Sequence, residues 1–306
     1  MKRWVTVTFL TFLLAISARA QSGPVPVPPP AGMRWQKTFD DEFNTLDASK
    51  WNGSYAGTLW CAGETNVVPG GPGGCNQNYF GVSVSGGILS LAAAPNSSNF
   101  ADTSNRAAIN TSGKFAQRYG YFEFRAKMPH DAGGEGDGLW PALWGLPVGK
   151  ADQTLNGCGN AREEVDLVEN VTSTTNLNTA HFSVHDTCVN EYSLGFPNVS
   201  AGDLSSDYHK YGLYWKNDGT VHGTMCVYFD DIEQNCHTLT APDTLWDNGI
   251  YLLEQVIPCP PNNSPSFNGA PCHATTSNND PMLVDYTRVY QLVPSHPHRH
   301  VLLHLP

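Results

Sequence analysis

The segment Glu163-Glu164-Val165-Asp166-Leu167-Val168-Glu169 sets carboxylates into an otherwise apolar run. Val and Leu at this density favour a strand. Acids inside a strand are costly unless one face lines a polar groove. Residues two apart share a face, so Glu164 and Asp166 point the same way. Regular alternation would give the next place on that face to Val168 and turn Glu169 towards the core. One extra residue, a β-bulge, brings Glu169 back to the groove, and bulges gather next to active sites. Three acids would then line one cleft. Two carboxyls about 5–5.5 Å apart suit double displacement at a glycosidic carbon, one attacking the sugar and the other protonating the leaving oxygen. On that reading Glu164 is the nucleophile and Glu169 the general acid/base. Asp166 lies between them, raising their proton affinities and hydrogen-bonding to the nucleophile. The acid must hold its proton near the working pH, so Glu169 is the carboxyl expected to titrate high. The spacing alone leaves open a solvated edge strand or a set of calcium ligands.

The elements that would carry these acids read as short strands. Ile88–Leu91, Tyr119–Met128, Glu164–Val168, Ala180–Val184, Lys210–Trp215, Thr224–Asp230 and Val284–Tyr290 are rich in Val, Ile, Leu and aromatics, with Gly, Pro, Asn or Asp runs between them. No window after the first residues sustains a helical period. Charged residues make up only 15% of the 306, against 29 Gly and 22 Pro, which suits strands and turns better than charged helices. The fold class expected is all-β, a sandwich of two antiparallel sheets.

The ends differ from the middle. Met1, Lys2 and Arg3 precede an apolar stretch from Val5 to Ala18, and Ala18-Arg19-Ala20 fits a cleavage site. Residues 1–20 therefore read as a signal peptide, and a secreted protein is expected. Residues 21–34 form a Pro-rich spacer. Residues 35–291 form a single catalytic domain, and 292–306 a tail with His296, His298, His300 and His304, expected to be disordered rather than metal-binding. The eight cysteines include no C-x-x-C pair, which disfavours zinc and favours disulfides in an oxidising compartment. Sequence cannot choose the pairing. Loop-closing neighbours are preferred, namely Cys61 with Cys75, Cys226 with Cys236 and Cys259 with Cys272, which leaves Cys158 with Cys188. A net charge of -11 repels phosphate backbones and anionic lipid, so neither nucleic acid nor a membrane is an expected partner.

Around the acidic strand, the sequence resembles glycoside hydrolase family 16, in its bulged, laminarinase-like branch. Glu164, Asp166 and Glu169 match that branch's E-x-D-x-x-E. The unbulged branch carries E-x-D-x-E and would need an acid at Val168. Further matches follow in family order: F-D-D-E-F-N at Phe39–Asn44, T-S-G-K-F at Thr111–Phe115, Y-G-Y-F-E-F-R-A-K-M-P at Tyr119–Pro129 and G-L-W-P-A-L-W at Gly138–Trp144. T-A-H-F-S-V-H at Thr179–His185, Y-H-K-Y-G-L-Y-W at Tyr208–Trp215 and V-D-Y-T-R-V-Y-Q at Val284–Gln291 complete the set. The resemblance implies a β-jelly roll with a concave cleft that hydrolyses internal bonds of β-1,3- or mixed β-1,3/1,4-glucan, with galactans the substrates of sister branches; a monomer is expected. It implies no catalytic cofactor. Trp144 is implied as the sugar platform. Trp140 divides evenly between cleft and core. His185 and His181 are implied near the acid/base, with His181 the more structural of the two. Arg125 would reach towards the cleft or form a structural ion pair. Asp285 would be a ligand of a structural calcium on the convex side.

The chain departs from the family pattern in two places. Leu146–Arg162 inserts a Gly/Asn-rich loop before the catalytic strand, and Tyr251–Asn262 lacks the glycines usual there. Both are expected to border the cleft, so substrate identity is less fixed than reaction class. A galactan-active enzyme, a transglycosylase and a non-catalytic β-glucan-binding protein are the alternatives. The last typically loses the glutamates that this chain keeps.

Overall fold

The computed structural model describes residues 25–53, 81–93, 107–129, 139–148, 163–169, 180–187, 190–195, 204–241, 244–258 and 281–295. The expected signal peptide, most of the inserted loop, the histidines of the tail and every cysteine except Cys226 and Cys236 lie outside the described residues.

Two antiparallel sheets face each other. Their strands are β1 (Met33–Asp41), β2 (Asn52–Gly53), β3 (Val82–Ser85), β4 (Ile88–Leu91), β5 (Ala107–Asn110), β6 (Gly120–Lys127), β7 (Leu139–Pro147), β8 (Glu164–Glu169), β9 (His181–Thr187), β10 (Asn190–Gly195), β11 (His209–Lys216), β12 (Thr224–Phe229), β13 (Ile232–Thr238), β14 (Ile250–Pro258) and β15 (Met282–Pro294). One sheet runs β13-β12-β11-β6-β15-β4-β3, with β1 also paired to β15. The other runs β10-β9-β8-β7-β14-β5-β2. Among the described residues helix is confined to one 3₁₀ turn, Leu245–Asn248, and no helix is long and apolar enough to cross a membrane.

Alternation explains the outer sheet. On β6, Phe122, Phe124 and Ala126 enter the core between the sheets, while Tyr121, Glu123 and Arg125 take the opposite face, as a pleat requires. On β11, Tyr211, Leu213 and Trp215 point inward in the same way. Gly120 starts β6 with φ 126°, where a Cβ would collide with the Tyr290 carbonyl, so only glycine fits. Cys226 and Cys236 are direct partners on β12 and β13 and form a disulfide, as the spacing suggested.

Both ends of the domain extend beyond the expected boundaries. β15 continues to Pro294, which pairs with Met33. Val25 is buried against Tyr121, Tyr228 and Tyr290, and the Trp35 indole N–H donates to the Val27 carbonyl at 2.7 Å. The later part of the Pro-rich segment thus packs on the outer sheet. Its valines hide apolar surface there that a free spacer would leave in water.

Candidate active site

The site is built on β7, β8 and β9 in the middle of the second sheet. Opposite residues of antiparallel neighbours share a face. Trp144, Asp166 and Ser183 form one row across it, Ala142, Glu169 and His181 the next, and Glu164 faces His185. Between the Asp166 and Glu169 rows β8 spends one residue more than either neighbour. This is the bulge that the spacing of the acids required. Its cause is visible in the core: Leu167 and Val168, adjacent in sequence, are both fully buried in the cluster between the sheets, with Val165. Two consecutive apolar residues turned inward return Glu169 to the face that carries Glu164 and Asp166.

The acids are held closely. Asp166 is 1% exposed and accepts a hydrogen bond from the Ser183 hydroxyl on Oδ2 at 2.5 Å. The His185 Nε2 lies 3.3 Å from the same oxygen and 3.9 Å from Glu164 Oε1. The Trp140 indole N–H donates to Glu169 Oε1 at 3.0 Å. His181, beside Glu169, is buried. Directly after His185, Asp186 points to the other side of β9, where Trp246, His237 and Thr240 donate to it. Burial pushes the Asp186 carboxyl up, but the hydrogen bonds from His237 and Thr240 prevail and hold it below the usual carboxylate range. That anchor fixes β9 behind His185.

Of the residues singled out from sequence, Glu164, Asp166, Glu169, Trp140, Trp144, His181 and His185 come together on this sheet. Both tryptophans lie on the face that carries the acids. Trp144 is 3% exposed, packed with Ala142, Leu146, Tyr251 and Leu253. Trp140 is only partly buried and touches the acid. Tyr251–Pro258 belongs to β14, a strand of the cleft sheet paired along β7, rather than to a bordering loop.

Arg125 does not reach the cleft. Its place on β6 turns it to the outward face of the other sheet, where Nη1 binds Asp285 Oδ2 at 2.5 Å and the guanidinium stacks 4.9 Å over the Tyr208 ring. The same ion pair bears on calcium. The Asp285 carboxylate is already paired with the Arg125 guanidinium, and it belongs to no group of three or more His, Cys, Asp or Glu ligands among the described residues. These residues do not fit a calcium site built on the Asp285 side chain. Ser183 was passed over in the sequence. Its signal was its place between His181 and His185, at a spacing of two from each.

A sandwich of two antiparallel sheets, with a bulged strand presenting Glu164, Asp166 and Glu169 on one face, defines the class: a carbohydrate-active jelly roll. The sequence profile described as Glycosyl hydrolases family 16 matches residues 79–241, more than half of the chain. The chain belongs to that family. It is 31% identical over 288 residues to glucan endo-1,3-beta-glucosidase A1 of Niallia circulans, across 85% of this chain and 38% of that protein. It is 34% identical over 276 residues to endo-1,3-1,4-beta-glycanase ExsH of Rhizobium meliloti, across 84% of this chain and 52% of that one. The chain thus spans about four tenths to half the length of these curated relatives. Among solved structures, the laminarinase catalytic domain from Thermotoga maritima superposes with a TM-score of 0.60 at 21% identity, over 84% of this chain and 98% of that one. That likeness concerns the fold.

Proposed function

We propose that this protein is a secreted, retaining endo-glycosidase that hydrolyses β-1,3- or mixed β-1,3/1,4-glucan. The observation that carries the reading is the β8 bulge, which turns Glu164, Asp166 and Glu169 to one face of a cleft sheet. Glu164 attacks the anomeric carbon and the glycosidic bond breaks. Glu169 gives its proton to the leaving oxygen. The resulting glycosyl ester on Glu164 is then opened by a water that Glu169 deprotonates. Trp140 donates to Glu169 Oε1 and so helps orient the carboxyl that carries the transferable proton. Trp140 also offers a partly open indole face for the C–H side of a pyranose. Relatives named for β-1,3- and β-1,3-1,4-glucan cleavage support the substrate class. A leader-like start and the Cys226–Cys236 disulfide support export to an oxidising compartment.

The test is reducing-end release from laminarin, mixed-linkage barley glucan, curdlan, agarose, carrageenan and xyloglucan, with Glu164→Gln and Glu169→Gln beside the wild type. Release from laminarin or barley glucan that Glu164→Gln abolishes supports the proposal. Release from agarose or carrageenan alone moves the substrate class to galactans. No release from any polymer, with glucan binding intact, overturns the hydrolase reading.

A further inference from the structure

We propose that Ser183 is a positioning residue that clamps one oxygen of Asp166 and so sets the orientation of the carboxylate between the two glutamates, an inference that rests on the glycosidase reading. Asp166 is nearly sealed from solvent, and Ser183 is wholly buried. A carboxylate so buried takes its orientation from its hydrogen-bond donors. The Ser183 hydroxyl supplies the short one, 2.5 Å to Oδ2, within the range of a charge-assisted O–H···O⁻ bond. His185 Nε2 approaches the same oxygen at 3.3 Å. The Ser183 hydroxyl thus makes Oδ2 an acceptor.

The register explains why Ser183 can do this. It is the direct cross-strand partner of Asp166 on β9, on the same face. Trp144, the partner on β7, bears no ionisable group. Among the described residues, the ionisable neighbours that the register gives Asp166 are Glu164 and Glu169 on its own strand and His181 and His185 on β9. An apolar residue at 183 would fill the place without offering a donor to Oδ2.

The experiment compares wild type, Ser183→Ala, Ser183→Cys and Ser183→Thr. Ala deletes the donor, Cys keeps the volume with a weak donor, and Thr keeps the hydroxyl. Two quantities are read on protein with wild-type circular dichroism: the titration of the Asp166 carboxyl by carbon NMR, and the pH profiles of kcat and kcat/KM on the substrate found above. Losing a hydrogen bond to a charged group should move the Asp166 midpoint up by about one pH unit in Ser183→Ala and lower kcat about tenfold, with KM little changed. The acid limb of kcat/KM should move up with it, and Ser183→Thr should restore both. If Ser183→Ala fails to fold, Ser183→Cys gives the same reading at smaller amplitude. An unmoved Asp166 titration, or a kcat within twofold of wild type with an unmoved acid limb, overturns the proposal. If the wild type cleaves no polysaccharide, the functional reading fails by itself, and the carboxyl titration still decides the Ser183–Asp166 clamp.

Discussion

Glu254 is a carboxyl in the core. It lies on β14 between Leu252 and Val256, on the side turned to the other sheet, and is 0% exposed. The Thr287 hydroxyl reaches it across the sandwich at 2.5 Å from Oε1, while Oε2 has no hydrogen-bond partner among the described residues. Burial pushes its pKa up to about 8 from 4.5; the Thr287 hydrogen bond lowers it and the charge of Asp41 adds to the rise. The folded pKa lies above the unfolded one, so the folded state holds the proton longer as pH rises. Stability is full below the unfolded pKa and declines as pH climbs towards the folded pKa. At about 1.4 kcal/mol per unit, a gap of 7 − 4.5 = 2.5 units amounts to about 3 kcal/mol lost at pH 7. Glu254→Gln keeps the shape and the acceptor for Thr287 but cannot titrate. Its buried amide N–H groups add a cost that does not vary with pH. Urea unfolding of both proteins at intervals from pH 5 to 8 isolates the carboxyl. The variant should gain on the wild type by about 1.4 kcal/mol per pH unit through this window. A difference that stays constant from pH 5 to 8 would refute the reasoning.

Two further outcomes follow from the site. Trp140→Phe keeps a ring but removes the N–H that holds Glu169 Oε1, so kcat should fall about tenfold with KM nearly unchanged; an unchanged kcat contradicts the role given to the indole. Arg125→Ala breaks a partly exposed ion pair on the far sheet and should cost at most about 1 kcal/mol in urea unfolding while turnover stays within twofold; a tenfold loss of turnover would return Arg125 to the cleft.

Strands were legible in both sheets where an apolar face or the acid motif marked them. β4, β6, β8, β9, β11 and β12 lie within one to three residues of their expected bounds, and β15 runs four residues further, through its pairing with β1. β7 and β14 were not read as strands. Their cleft faces carry Trp144, Leu146, Tyr251 and Leu253, so both sides are apolar and the period of two disappears. The bulge could be inferred because the acids needed it, and Leu167-Val168 supplied two inward residues in succession. Arg125 was left open between the cleft and a structural ion pair, although the alternation of Phe122, Phe124 and Ala126 already assigned it to the outer face. The exposure of Trp144 and Trp140 depends on what packs over each, which spacing along one strand does not contain. The Ser183 clamp joins β8 to β9 and needed the register between them.

The central claim is a covalent intermediate on Glu164. The most direct measurement is the mass of the intact protein, then of its peptides, after reaction with an activated fluorinated laminari-oligosaccharide that loads the nucleophile but is released slowly. One glycosyl unit on the peptide holding Glu164, absent from Glu164→Gln, is the predicted result. An adduct on another residue, or none from a protein that cleaves the glucan, would contradict the double-displacement account.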